Sequence, residues 1–467
     1  MTAGKPTATG DHASADPDTA PASDPVVPPG PDGYPLLGSF PKLLRDPFEF
    51  FDYIAAYGDV VRYRILRNTY TMLFDPEAIQ HVLVEEPGRF ERYLFAEGGF
   101  DFATEGLLFT SGEQWRNQRR IMQPAFTMDR IQSYAETMQS TAEAMVDRWD
   151  DGEELALNRE FSRVTLEILA KTLFGIDVDP EAEDEAVTRL ARELHERAGP
   201  ERNVTGLVPN WVPTPANRRY RRALSDYRDQ VDDLIAARRG ADDPGDDLLS
   251  LLVHAEGPEG DTLTDEEIRD NLITFTFAGH DTTSLALTYT FLLLSQHDDA
   301  RATLEAEHDR VLGGETPRFE HVPQLEYTDR VLTEAMRLYP PAFLLFRKAT
   351  EDATVRGYDI PEGSIVTLPV YAIHRDERFY DDPDAFRPDR WTESFEDELP
   401  EYAYFPFGGG PRHCIGMRFA MLEMKLIVST VARRADFDLL SDPDPELTTG
   451  VTLQPKEDVR MRVWSTS

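Results

Sequence analysis

The sequence predicts a mostly α-helical protein with small β-sheets, folded as one large domain, and three patterns carry that expectation. Between about Asp75 and Tyr339 apolar residues recur at helical spacing, with long amphipathic stretches such as Arg130–Trp149 and Tyr220–Arg239. Short alternating runs rich in β-branched residues, Asp59–Leu66 and Thr69–Phe74, precede that region, and strand-and-turn texture returns after Pro340. No internal repeat and no clean linker divides the 467 residues. With 40 % hydrophobic and 10 % aromatic residues, the chain can bury a core large enough to enclose a bulky cofactor.

Taken in order, residues 1–28 are mostly Ala, Thr, Asp, Pro and Gly without an apolar run. They read as a disordered polar arm, neither signal peptide nor membrane anchor, and residues 29–467 as the domain. Order is expected from the turn-rich Pro29–Gly38. Gly199–Ala216 reads as a long loop between helices, and Ala241–Asp247 as an acidic turn. Leu272–Leu294 is long enough to cross a bilayer. Its centre, His280-Asp281-Thr282-Thr283-Ser284, is polar, and its flanks Asp265–Glu267 and Asp298–Asp299 are acidic. A central core helix from Asp265 to Gln296, about 48 Å long, is the better expectation. A last helix is expected over Met417–Arg434.

The chain carries 86 acidic and 48 basic residues, a net charge of −38, and only six lysines. Such a surface repels nucleic acid and anionic lipid. It suits molar salt, where the Debye length falls to about 3 Å. A single cysteine excludes an intrachain disulfide and cysteine-rich zinc or iron–sulfur sites. It fits a reducing, cytoplasmic setting.

That cysteine stands in Phe405-Pro-Phe-Gly-Gly-Gly-Pro-Arg-His-Cys-Ile-Gly416, directly before a helical pattern. A helix N-terminus favours a thiolate, and Arg412 adds a cation. A small buried cysteine in a glycine turn is the plain alternative; a phosphate loop is disfavoured because its Lys-Ser/Thr ending is missing. Ala278-Gly-His-Asp-Thr-Thr283 places Gly279, Asp281 and Thr282 inside a helix, where each is unfavourable. They could leave room for a diatomic molecule and deliver protons to it, or mark a kink with a satisfied polar patch. Glu334 and Arg337 share a helix face at i,i+3, as Trp115 and Arg119 do at i,i+4.

Phe407–Gly416 resembles the heme-binding loop of the cytochrome P-450 family, Phe-x-x-Gly-x-Arg-x-Cys-x-Gly, with every specified position filled. The resemblance implies a cytochrome P-450-type domain holding heme b (iron protoporphyrin IX), with Cys414 as the metal ligand. Phe407, Gly408, Ile415 and Gly416 would line the loop, and Arg412 would bond a propionate. Ala278–Thr283 resembles the family's oxygen-binding groove, which implies that Thr282 holds dioxygen and Asp281 relays protons beside Ala278. Trp115 and Arg119 match its Trp-x-x-x-Arg motif, and Arg347 a further propionate contact. Glu334-Ala-Met-Arg337 with Phe386-Arg-Pro-Asp-Arg-Trp391 resembles its structural lock, implying a trio of Glu334, Arg337 and Arg390. The family motifs run in order from Trp115 to Gly416, and the charge style resembles a soluble halophilic archaeal or bacterial member.

The implied activity is insertion of one oxygen atom from O2 into a hydrophobic small molecule. Electrons would come from a separate ferredoxin-type donor and its reductase, since no nucleotide-binding fingerprint follows a strand. Arg116, Arg120 and Arg418 could form a docking patch for that donor. Substrate-pocket segments implied by the resemblance are Phe100–Leu108, Gly199–Ala216, Ala342–Phe346 and Val451–Leu453. The alternatives are a peroxide-driven hydroxylase or isomerase of the same fold, a heme-thiolate gas sensor, and a helical protein that binds no heme.

Overall fold

The computed structural model describes residues 26–93, 102–178, 185–198, 211–240, 245, 247–257 and 260–466. Of the expected polar arm, residues 1–25 lie outside this set. Val26 is already held, its N–H donating to Asp359 Oδ2 at 2.8 Å.

Eight helices carry the site: α1 Gly112–Met122, α2 Met128–Asp147, α3 Leu157–Leu169, α4 Ala186–Ala198, α5 Pro215–Arg239, α6 Asp265–Leu294, α7 Glu326–Leu338 and α8 Met417–Arg434. α8 has the bounds its periodicity predicts. α2 and α5 begin earlier than expected, because a first helical turn is marked by caps rather than by apolar spacing. In α5, Thr214 accepts from Asn217 N–H at 3.0 Å and Pro215 opens the helix.

α6 is the axis of the molecule, 30 residues and therefore about 45 Å long. Thr264 and Glu267 close a reciprocal capping box at its start, and the helix ends at Leu294, two residues before the expected Gln296. Its hydroxyls are satisfied along the helix: Thr276, Thr282, Thr283, Thr288 and Thr290 each donate to the carbonyl four residues back. Most of its side chains are buried, so it is a core helix. Among the described residues no helix is long and apolar enough to cross a membrane.

Gly279 has a packing reason. A Cβ there would lie 2.9 Å from Leu169 Cδ1, so the glycine lets α3 approach α6 closely. The missing side chain of Gly279 therefore faces α3. α2 and α8 run side by side and parallel, with Tyr134 against Phe419 near one end and Arg434 paired with Asp147 at the other.

The main sheet has five strands: β1 Val60–Ile65, β2 Asn68–Leu73, β3 Phe90–Arg92, β4 Leu345–Ala349 and β5 Ile365–Leu368. Their spatial order is β1-β2-β5-β4-β3. Only β2 and β5 pair in parallel. β3 pairs antiparallel with β4 and sets Arg92 opposite Arg347. A second sheet joins Glu154–Ala156, Arg460–Ser465 and Ala435–Leu439, and a hairpin joins Leu447–Thr449 to Leu453–Pro455. The helices enclose one apolar core and the main sheet a second. The cysteine loop bridges them: Tyr402 and Phe405 belong to the sheet core, while Phe407, Ile415 and Phe419 pack on the helical one.

Candidate heme-thiolate site

The loop before α8 is shaped by its backbone. Gly410 sits at φ +63°, and a Cβ there would come within 1.8 Å of the Leu83 carbonyl oxygen. Gly408 is likewise left-handed, at φ +71°. The Cys414 N–H donates to the Phe407 carbonyl at 2.9 Å and closes the loop. Behind it, the Phe405 N–H donates to His374 Nε2 at 3.0 Å.

Solvent reaches Cys414 although it lies deep among protein groups, so its sulfur faces an internal cleft. Burial pushes the thiol pKa up. The N–H groups of Gly416 and Met417 and the cations Arg119 and Arg92 pull the other way without cancelling it. The helix-start effect expected from sequence is therefore present but outweighed. A coordinated metal ion would reverse that balance, because coordination deprotonates a thiol. Among the described residues no group of three His, Cys, Asp or Glu side chains could hold a metal ion.

Three arginines converge on one another, and one of them, Arg92, lies beside the sulfur. Arg92 is pushed down to about 9 by burial and by the charges of Arg347 and Arg412. Burial and Arg412 bring Arg347 to about 10, and burial brings Arg412 to about 10. Guanidinium groups stay charged at neutral pH, so these shifts express poor solvation and mutual repulsion, an arrangement that calls for anions. Arg412 Nη2 donates to the Thr110 carbonyl at 2.9 Å, while its buried Nη1 has no partner. A flat macrocycle with two carboxylates and an axial sulfur ligand fits this donor set.

Trp115 and Arg119 both meet the cysteine loop. The Arg412 guanidinium lies 4.4 Å from the Trp115 ring centroid, so the indole braces Arg412. Arg119 donates to the His413 carbonyl at 3.1 Å and meets His413 Nε2 at 3.2 Å. Arg92 was not anticipated from sequence; its only signal is the strand register that faces it to Arg347.

On α6, Thr282 Oγ1 donates to the Ala278 carbonyl at 2.7 Å, which places both on one helix face. Asp281 is buried. Its Oδ1 lies 2.7 Å from His195 Nδ1, and its Oδ2 accepts from Thr452 Oγ1 at 2.9 Å. Burial alone would raise the Asp281 pKa, yet His195, His280 and Thr452 hold it below the usual carboxylate value. The Asp281 hydrogen bond raises His195 in return. His195 does not stand out in the sequence, and Thr452 does so only as part of the Val451–Leu453 pocket segment.

The expected lock forms, with one more member. Glu334 and Arg337 are fully buried and bonded through Arg337 Nε and Nη2, each at 2.8 Å. Arg390 Nε reaches Glu334 at 2.9 Å, and so does the indole N–H of Trp391.

Of the implied pocket segments, Phe102, Leu107, Phe343, Thr452 and Leu453 are buried, and Phe102 meets the rings of Phe109 and Phe277. Residues 100–101 and 199–210 lie outside the described residues. On the surface side of the cysteine loop is a groove of about 750 Å³, lined by Trp115, Arg116, Arg119, Arg120 and His413 among others. Arg418 is exposed but does not line it.

A profile of the cytochrome P450 family matches residues 28–460. Cyclooctatin synthase of Streptomyces melanosporofaciens is 37 % identical over 407 residues, 86 % of this chain and 88 % of its own. Cyclooctat-9-en-7-ol 5-monooxygenase of the same organism is 34 % identical over 411 residues, with the same two coverages. The crystal structure of the cytochrome P450DA heme domain superposes with a TM-score of 0.85 at 28 % identity, covering 95 % of this chain and 98 % of that one. The lone thiol among buried arginines and these whole-length matches agree, and the chain belongs to the cytochrome P450 family as a monooxygenase that uses heme b.

Proposed function

We propose that this chain oxidises a cyclic, terpenoid-like hydrocarbon carrying few polar groups, with Cys414 as the residue that would hold the iron of its heme. The observation that carries the site assignment is the solvent-accessible Cys414 thiol beside Arg92, within a cluster completed by Arg347 and Arg412. Heme bound through a thiolate supplies the activation of O2, since the thiolate's electron density favours O–O cleavage. The protein's own part is to hold and orient. Arg92, Arg347 and Arg412 neutralise the propionates, and Trp115 keeps Arg412 in place. Phe407, Gly408, Ile415 and Gly416 shape the loop around the sulfur. Thr282, whose hydroxyl proton rests on the Ala278 carbonyl, would turn that hydroxyl toward dioxygen, and Asp281 would pass protons on to it.

The substrate class is supported by the apolar character of Phe102, Leu107, Phe343 and Leu453 and by the cyclic alkenyl alcohol in one relative's name. Electrons would arrive from a separate ferredoxin-type protein. The arginine-lined groove beside the cysteine loop suits an acidic partner, on a chain whose net charge is −38. That charge also fits a cytoplasm at molar salt.

The test is the ferrous–carbon monoxide difference spectrum of wild type and Cys414→Ser in molar salt. A red-shifted Soret band that the substitution abolishes is expected. A histidine-type spectrum unchanged by it would overturn the assignment.

A further inference from the structure

Asp281 is enclosed on both sides of its carboxylate. His195 comes from α4, and Thr452 from the turn of the Leu447–Pro455 hairpin, where Gln454 Nε2 donates to Thr452 Oγ1 at 2.9 Å. The acid's side chain is 9 % exposed and that of His195 is 49 % exposed. Among the described residues, the imidazole is thus the polar group that touches Asp281 on one side and solvent on the other.

We propose that His195 is the proton entry to Asp281, a positioning residue that both holds the acid and feeds it from bulk water. The step balances as one proton moved and no electrons. Nε2 takes a proton from hydronium, leaving water, as the Nδ1–H bond breaks and its proton settles on Asp281 Oδ1. The imidazole is left neutral in the other tautomer, and exchange with solvent resets it. An arginine at this place would pair equally well with the carboxylate but could not release a proton at neutral pH.

The other groups facing His195 are Glu196 on its own helix and His280 on α6. Glu196 favours the protonated ring and is shared with Arg219 of α5 at 3.4 Å. His280 opposes it only weakly, because burial lowers its own pKa and it is held to the Thr276 carbonyl at 2.6 Å. Neither neighbour reverses the upward direction that the Asp281 hydrogen bond gives His195.

The proposal rests on the reading that Asp281 supplies protons to the site. It is tested on the heme-loaded protein with His195→Arg, His195→Gln and Asp281→Asn. Both His195 variants should slow product formation by roughly tenfold or more, enlarge the solvent deuterium isotope effect and divert reductant to peroxide. Substrate affinity should stay within about twofold. In wild type, coupling should follow the His195 titration seen by NMR, and that midpoint should fall in Asp281→Asn. A His195→Arg variant with wild-type rate, isotope effect and pH profile would show that the position supplies only ionic pairing, and would overturn the relay. If Asp281→Asn itself left coupling intact, the underlying reading would fail instead.

Discussion

Replacing Glu334 by Gln should remove the anchor that joins α7 to the chain leading into the cysteine loop. The carboxylate accepts five hydrogen bonds. Oε1 receives Arg337 Nη2, Arg390 Nε and the Arg387 N–H, while Oε2 receives Arg337 Nε and the Trp391 indole. Arg337 in turn donates to the carbonyls of His374, Pro383 and Ala385. Whichever way a Gln amide is turned, its NH2 group meets at least two donors, and the buried guanidinium of Arg337 loses its countercharge. Breaking one partner of a buried pair costs about 3–5 kcal/mol, a large share of a domain's total stability. With a urea dependence of about 3 kcal/mol per molar or more for a chain of this size, the unfolding midpoint should drop by up to about 1–1.7 M. Tryptophan fluorescence gives the readout, since Trp391 reports on the site directly. Heme-free protein is preferable, because a bound cofactor breaks the two-state assumption. The deficit should persist in molar salt, where exposed pairs are screened and buried ones are not. A loss below about 1 kcal/mol, the value of an exposed pair, would refute the reasoning.

What the sequence revealed and what it hid divide along one physical line. Cys414, Arg412 and Phe407 lie within eight residues, so their adjacency in the chain is already their adjacency in the loop. Glu334 and Arg337 meet across one helical turn in the same way. The long apolar periods located α6 and α8, while the three-residue strands Phe90–Arg92 and Glu154–Ala156 fall within a region that reads as helical. Such short segments have no period of their own and become strands only by pairing with distant partners. Arg92 is therefore set by the register with Arg347. Asp281 meets His195 across 86 residues and Thr452 across 171, contacts that only the packed fold brings about. Gly279 teaches the converse. Its unfavourable placement in a helix was a correct signal, but the sequence could not say that the space is claimed by Leu169.

The remaining predictions probe the loop, the arginine cluster and the acid limb of stability. Gly410→Ala should impair folding of the loop, combining a left-handed backbone cost of about 1–2 kcal/mol with a clash against the Leu83 carbonyl. Gly416→Ala, with nothing within 4 Å of its Cβ position, should unfold thermally close to wild type; equal melting temperatures for both variants would contradict this. Arg92→Leu should speed heme loss to apomyoglobin by roughly 10–100-fold, the worth of one charge-assisted hydrogen bond, and an unchanged rate would remove Arg92 from the site. Stability should also fall on mild acidification. Burial pushes His374 down to about 3 and His308 to about 4, against about 6.5 for an unfolded histidine. The unfolded chain therefore binds more protons below pH 6.5, and the stabilisation these neutral rings provide is lost as pH falls from 6.5 toward 4 and 3. His195 has the opposite sign: its pKa is raised, so its contribution is lost as pH rises above 6.5 and is constant below it. Between pH 6.5 and 5 most carboxylates remain ionised; Glu423, raised well above 4.5 by burial, opposes the slope, while His374, His308 and the likewise lowered His280 set its sign, at most about 1.4 kcal/mol per pH unit each. Urea midpoints at pH 7.5, 6.5, 5.5 and 5 measure it. A flat profile, or a His374→Gln variant with the full wild-type slope, would show that the ring accepting the Phe405 N–H is not the group that acid protonates.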